Sequence, residues 1–479
     1  MSQKGLEGGS YKPLSQESID KIHQASLRVF EEVGFQVNSE TALSFFDQAG
    51  AWVDSETHVV RMPPQMVMDF LSRAPSEVKL CGQDEEHDIL LGGARVFTGT
   101  GGTALNIIDV ETDLTRRATL DDLKQIARLV DGLENIHVFM LPIYPSDISA
   151  EVVDVNRFFA ALDNTTKHVM GGVYTLNGIR QAISMAEIIC GSPQELRRRP
   201  LISMITCSIS PLKIDSLYGD MLVQIAKAGL PIVCPAEPLS GATAPVTLAG
   251  TLLIQNVDSL AGVLLTQVVN SGTPVIYASV ASNTDLRDLK YVTGSIEMGL
   301  LNAAGAQMAQ FYRLPFYATA GMSDSKVIDA QCGYESALTS LLCALAGANF
   351  IHDAAGMMEF ALSVSYEKYV VDNEILGMVM RAVEGIKVDE DTLAFDVIKE
   401  VGPGGHFVSS DHTRKYMRSE HYYPSLSDRL DREEWETQGG KDTCRRATER
   451  VSQLLSEHQF GLPSSIRKRI LSEIPGIID

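Results

Sequence analysis

Apolar residues change their spacing along the chain, and each change marks a boundary between predicted elements. From Ser15 to Pro75, Ile19, Ile22, Ala25, Leu27, Val29 and Phe30 recur near every 3.6 residues, and a second amphipathic run covers Pro64 to Leu71. This period predicts helices, and residues 1–90 read as an N-terminal cap of helices and a hairpin. Between Asp88 and Arg117 the pattern shortens to extended pieces broken by Gly92-Gly93, Gly99 and Gly101-Gly102, with Glu111-Thr112-Asp113 at the turn of a predicted hairpin.

Beyond that point one unit repeats. Thr119 is a suitable N-cap with Asp122 three residues on, and Leu123, Ile126, Ala127 and Val130 form an apolar face that Gly132 ends; Ile136 to Leu141 then reads as a buried strand. Further buried strands are predicted at Arg95–Thr98, His168–Val173, Leu201–Thr206, Pro231–Pro235, Pro274–Val280, Pro315–Thr319 and Ala348–His352. Helices are predicted between them at Leu120–Leu129, Ile179–Ile189, Asp215–Lys227, Leu248–Asn270, Ser295–Tyr312 and Gln331–Ala346, several closed by Gly191, Gly229, Gly272 or Gly347. Eight alternating units imply a parallel sheet with right-handed crossovers, closed as an α/β (β/α)8 TIM barrel over residues 91–388. A doubly wound open sheet would place a glycine fingerprint between the first strand and a helix, whereas Gly99-Thr100-Gly101-Gly102 leads into the strand-like ALNIIDV. Residues 389–479 turn polar and helical again, broken by Gly402-Pro403-Gly404-Gly405, and read as a C-terminal extension packed on the barrel.

Composition narrows the partners. With 45% apolar and 21% charged residues in 479, the chain can bury a large core. A net charge of -21 argues against nucleic acid, and the basic runs Arg197-Arg198-Arg199 and Arg467-Lys468-Arg469 read as solvated helix ends. Seven scattered cysteines with no C-x-x-C pair suit a reducing, cytoplasmic compartment. The polar start lacks an apolar export core, and the most apolar stretch, Thr251 to Val269, is interrupted by Gln255, Asn256 and Asp258, so no membrane span is expected.

In a barrel, chemistry gathers at the C-terminal ends of the strands. Glu237 and His352 are the titratable residues predicted directly at such ends, with Asp324 and Asp353 close behind. Glu237 reads equally as a functional carboxylate or a helix cap, and His352 as a site residue or a core donor. His406 and His412 lie in a glycine-rich loop without metal-ligand spacing, and neither G-x-S-x-G nor a Walker loop is present. The rings of Phe97, Tyr144, Tyr174 and Phe360 fall at or just past strand ends; core packing is their ordinary fate, but rings so placed can also surround a cation.

Several long stretches carry a resemblance: LSGATAPVTLAGTLLIQN (Leu239 to Asn256), PVIYASVASNTDLR (Pro274 to Arg287), GMSDSKVIDAQCGYESALTSLLCALAGANFIHDAAGMME (Gly321 to Glu359) and GPGGHFVSSDHTRKYMRSEHYYPSLSDR (Gly402 to Arg429). In this order they resemble the trimethylamine:corrinoid methyltransferase superfamily, which implies a (β/α)8 barrel and methyl transfer to cob(I)alamin carried by a cognate corrinoid protein. The trimethylamine members carry a pyrrolysine, and this chain has standard residues throughout, including SDSKVIDAQ. The resemblance therefore implies the non-pyrrolysine branch, with no tightly bound cofactor of its own and a small quaternary amine as substrate. Glycine betaine is the leading expectation. A longer betaine (proline betaine, carnitine or γ-butyrobetaine) and a non-catalytic betaine-binding barrel are the alternatives. A quaternary nitrogen leaves as a neutral tertiary amine and needs no general acid, so sparse titratable groups at the mouth fit this chemistry. The expected site has the cation against Phe97, Tyr144 or Phe360, the carboxylate on His352, Glu237 in a lesser role, and Gly101, Gly102, Ser279 and Gly321 toward the corrinoid. A homo-oligomer is expected by analogy with the family.

Overall fold

In a computed structural model that describes residues 3–109, 112 and 114–478, eight parallel strands close on themselves. They are β1 (Arg95–Thr100), β2 (Val138–Met140), β3 (His168–Gly172), β4 (Ile202–Ile205), β5 (Ile232–Ala236), β6 (Val275–Ser279), β7 (Phe316–Thr319) and β8 (Phe350–Ala355). Neighbours in sequence are neighbours in the sheet, and β8 closes onto β1 with Phe350 opposite Phe97 and Ile351 opposite Thr98. Each predicted strand is present. The helices between them are α1 (Leu120–Asp131), α2 (Val153–Leu162), α3 (Leu176–Cys190), α4 (Ser216–Ala228), α5 (Leu248–Val269), α6 (Ile296–Tyr312), α7 (Ala330–Ala346) and α8 (Tyr366–Glu384). Thr119 and Asp122 form a reciprocal capping box at the start of α1, as their spacing suggests.

Two of these helices, α2 and α8, escape the periodicity reading for one reason. Every residue of α2 is buried, and α8 is buried on opposite sides because the C-terminal helix Thr443–Glu457 lies over it, so neither displays a single apolar stripe. Helix α5 runs unbroken through Gln255, Asn256 and Asp258. It is long and apolar enough to cross a membrane, yet its polar side chains are tied to the barrel and to the N-terminal region: Gln255 donates to the Ala278 carbonyl (3.2 Å), Asn256 to the Ser26 hydroxyl (2.8 Å), and Asp258 accepts from Ser210 and from the Leu212 amide (both 2.7 Å).

The N-terminal region holds helices Gln16–Arg28, Glu40–Gln48 and Pro64–Leu71 packed against α5. The helical reading missed a small sheet between them, in which Phe35–Val37 pairs antiparallel with Val59–Arg61, which in turn pairs with Trp52–Val53. A hairpin of Val78–Leu80 and Ile89–Leu91 closes the lower end of the barrel, where its apolar residues pack with Phe97, Val138, Met170 and Phe350. The hairpin predicted after β1 forms from Asn106–Asp109 and Leu114–Arg117; Glu111 and Asp113 of its turn lie outside the described residues. In the C-terminal extension, Thr443–Glu457 packs on α8 and α1 through Ala447, Val451 and Leu454, and Ser464–Glu473 packs on α3.

The loops above the barrel are held by buried charges. Lys368 and Asp372, one turn apart on α8 and both fully buried, pair at 2.5 Å; the ammonium also donates to Ser336 (2.9 Å) and reaches the Gly321 carbonyl (3.5 Å), while Asp372 accepts from the Gly356 amide (2.7 Å). One pair thereby joins the loops after β7 and β8. Breaking it strands a charge in the core, so Lys368→Met is expected to cost about 3–5 kcal/mol in urea unfolding, and adding Asp372→Leu is expected to recover most of that loss.

Candidate functional site

The pleat of a closed barrel sends every second side chain toward its axis. Along β7 this turns Tyr317 inward, along β8 Phe350 and His352, and along β3 Met170 and Gly172. The lower tier packs into an apolar floor that includes Phe97, Met170 and Phe350. Above it a cavity of about 280 Å³ opens at the C-terminal ends of the strands.

Its wall is aromatic and acidic. Tyr174, Tyr218, Tyr291 and Tyr317 contribute rings, Glu237 and Asp353 contribute carboxyl groups, His352 an imidazole, and Met140, Ile205, Pro235 and Val280 apolar surface. No lysine or arginine lines it among the described residues. Arg157 of α2 is buried with its guanidinium 5.3 Å from the Tyr174 ring and donates to the carbonyls of Leu141, Ile143 and Gly172.

The histidine and its neighbour are in unusual positions. His352 stacks on Tyr317 with ring centroids 4.6 Å apart. The Thr319 hydroxyl donates to the Ser279 carbonyl (2.9 Å) and so accepts from His352 Nδ1 (3.2 Å), which leaves Nε2 as the ring's acceptor nitrogen. Nε2 lies 3.0 Å from Asp353 Oδ1 but out of hydrogen-bond alignment, and it is a buried polar atom without a hydrogen-bond partner. Burial pushes the imidazole down to about 3 and the Asp353 carboxyl well above the usual carboxylate range, with Glu237 adding to the second effect and the Gly102 amide opposing it. Asp353 has a φ of +58°, a strained backbone for a residue with a Cβ, and its Oδ1 accepts from the Gly102 amide at 3.1 Å. That approach dictates glycine at 101, where a Cβ would lie 2.0 Å from the same oxygen.

Glu237 lines the cavity, and burial raises its pKa against the lowering influence of Tyr291. Tyr291 comes from the hairpin Ser282–Asp285/Lys290–Val292, and Asp324 anchors the following turn by accepting from the amides of Thr293 (3.0 Å) and Gly294 (3.2 Å). Burial pushes the Cys207 thiol in the wall up to about 12, so it stays protonated.

Several expected site residues lie elsewhere. Phe97 is one tier too low and belongs to the floor. Tyr144 stands behind Tyr174, their rings 5.3 Å apart at 73°. Phe360 turns its ring to Lys326 (4.4 Å), and its neighbour Ala361 meets the cavity instead; Glu359, Phe360 and Ala361 form a left-handed turn with φ of +53°, +60° and +63°. Ser279 and Gly321 are buried: the Ser279 hydroxyl accepts from the Ala281 amide, and Gly321, with φ of +95°, is pressed against Ala354. Of the glycines expected to face a corrinoid, only Gly102 touches the cavity. The sequence reading missed Tyr218, Tyr291 and Tyr317. Tyr317 was recoverable from the two-residue period of its strand, whereas nothing local marks Tyr291. Among the described residues no three His, Cys, Asp or Glu side chains are grouped to hold a metal.

Comparison with known proteins gives this geometry a family. The profile described as "Trimethylamine methyltransferase (MTTB)" matches residues 4–472. The chain is 37% identical to trimethylamine methyltransferase MttB of Desulfitobacterium hafniense (strain DSM 10664 / DCB-2) over 99% of this chain and 95% of that protein. It is 34% identical to glycine betaine methyltransferase of Desulfitobacterium hafniense (strain Y51) over 94% of this chain and 93% of that protein. The crystal structure of the Methanosarcina barkeri monomethylamine methyltransferase (MtmB) superposes with a TM-score of 0.52 at 12% identity, covering 94% of this chain and 89% of that one, a likeness of fold. With the profile spanning nearly its whole length, the chain belongs to the trimethylamine methyltransferase (MttB) family and is a corrinoid-dependent methyltransferase.

Proposed function

We propose that this enzyme takes a methyl group from a small quaternary ammonium compound, glycine betaine first among them, and passes it to cob(I)alamin held by a cognate corrinoid protein, releasing the tertiary amine. The observation that carries this reading is a cavity of about 280 Å³ walled by four tyrosines and two carboxyl groups, with no lysine or arginine among the described residues on its surface. That volume is at the small end for ligand sites and suits a compact cation.

The partner's reduced corrinoid would supply the nucleophile and take the methyl group, while the C–N electron pair stays on the departing amine. The substrate's fixed positive charge disappears as the methyl leaves, so a site that neutralised that charge strongly would stabilise the ground state and slow the step. Tyrosine faces hold a cation at about 0.5–2 kcal/mol each without doing this. Burial shifts both carboxyl groups toward their neutral forms, which opposes strong neutralisation of the cation. For a betaine, the negative charge of the substrate carboxylate would favour the protonated imidazole and turn His352 Nε2, unpartnered in the free site, from acceptor to donor. The floor beneath excludes water from the reacting centre. Seven free thiols support a reducing, cytoplasmic setting.

The direct test mixes the purified protein with cob(I)alamin and a panel of tetramethylammonium, choline, glycine betaine, carnitine and γ-butyrobetaine, following methylcob(III)alamin by absorbance. Turnover of at least one is expected, and glycine betaine most; silence from the whole panel sinks the proposal, and turnover confined to carboxylate-free members removes the betaine assignment. His352→Ala is expected to raise KM for glycine betaine by about tenfold or more, the cost of an unpaired carboxylate, with a smaller effect on tetramethylammonium. Because a cation favours the ionised carboxylate, affinity for tetramethylammonium should rise with pH as Glu237 deprotonates above its ordinary range. Glu237→Gln should weaken binding at high pH and flatten that rise, as read by calorimetry across pH.

A further inference from the structure

Each glycine near the site has a local reason except one. Gly101 and Gly321 are pinned by atoms that a Cβ would meet at 2.0 and 2.6 Å, and Gly102 and Gly171 by side chains at 2.5 Å. Gly172 lines the cavity, its φ lies outside the left-handed region, and a Cβ added there would find nothing within 4 Å. Neither backbone conformation nor packing demands glycine at this position.

What lies in front of Gly172 is the cavity itself. The two-residue period of β3 sends Met170 into the floor and Gly171 outward against Leu141, so position 172 faces the axis one tier above Met170. In an eight-stranded ring β3 stands opposite β7, so Gly172 faces the wall that carries Tyr317 and its stacked partner His352. Cys207, Glu237, Val280 and His352 line the same cavity with side chains. The Gly172 backbone is fixed by its pairing with Ile205 and by the Arg157 guanidinium on its carbonyl (3.1 Å).

We infer that Gly172 is a specificity-determining residue: the side chain it lacks is the room in which the substrate's larger substituent lies, between the β3 backbone and the Tyr317–His352 stack. This deepens the quaternary-ammonium reading and rests on it for the identity of the natural ligand, but its test does not depend on methyl transfer. A strand glycine with open space before it is a position where a ligand comes close to the backbone. A methyl group placed there subtracts directly from the cavity, and one methylene of misfit in a closed pocket changes discrimination by about tenfold or more.

The test uses the full chain with Gly172→Ala and Gly172→Val, binding tetramethylammonium and tetraethylammonium as probes by calorimetry, with thermal melting alongside. In Gly172→Ala the affinity for tetraethylammonium relative to tetramethylammonium is expected to fall by about tenfold, and further in Gly172→Val, while the melting temperature holds or rises because an alanine loses less chain freedom on folding. An unchanged ratio, equal loss of both probes, no binding of either probe to the parent, or a lowered melting temperature in the alanine variant would each overturn the inference. Probe binding without methyl transfer by the parent would remove the proposed reaction and leave the role of Gly172 standing.

Discussion

Closure of β8 onto β1 is the constraint on which the remaining structure depends. Once the ring is shut, inward side chains have only the axis to occupy, and their sizes decide where that axis is solid and where it is hollow. Phenylalanines and methionines fill the lower tiers. Above them two glycines, a cysteine, a histidine and a glutamate leave room, and tyrosines supply a lining. Floor and cavity are thus consequences of one alternating pattern, read at two heights.

A hollow at the top of a barrel is useful only if the loops over it keep their places, and here buried charges do that. Lys368 and Asp372 tie together the loops after β7 and β8, Asp324 fixes the turn behind Tyr291, Asp258 of α5 grips the segment after β4, and Arg157 holds the carbonyl ends of β2 and β3. Each anchor makes at least one hydrogen bond to a backbone group of the segment it holds. The strained backbones at Asp353 and at Glu359 to Ala361 sit inside this frame, where neighbours on several sides hold them.

The eight strands and six of the barrel helices were legible in the sequence because each presents one regular face. Helices α2 and α8 were not, since burial on all or opposite sides erases amphipathic spacing. The site was legible only in part. Glu237 and His352 follow strand ends and line the cavity. Phe97 also belongs to an inward-facing register, but height along the axis, which a single strand does not encode, places it in the floor. Tyr291 and Tyr218 reach the cavity from a hairpin and a helix start, positions fixed by tertiary packing.

The hairpin that stoppers the lower end of the barrel has a bearing on traffic. With Val78, Leu80, Ile89 and Leu91 packed beneath Phe97 and Phe350, the chamber is sealed from below. The cavity is left with its opening at the C-terminal ends of the strands, where a substrate and a second reactant would share one entrance. On the proposed reaction, loading would precede docking of the corrinoid protein and the spent amine would leave after it undocks.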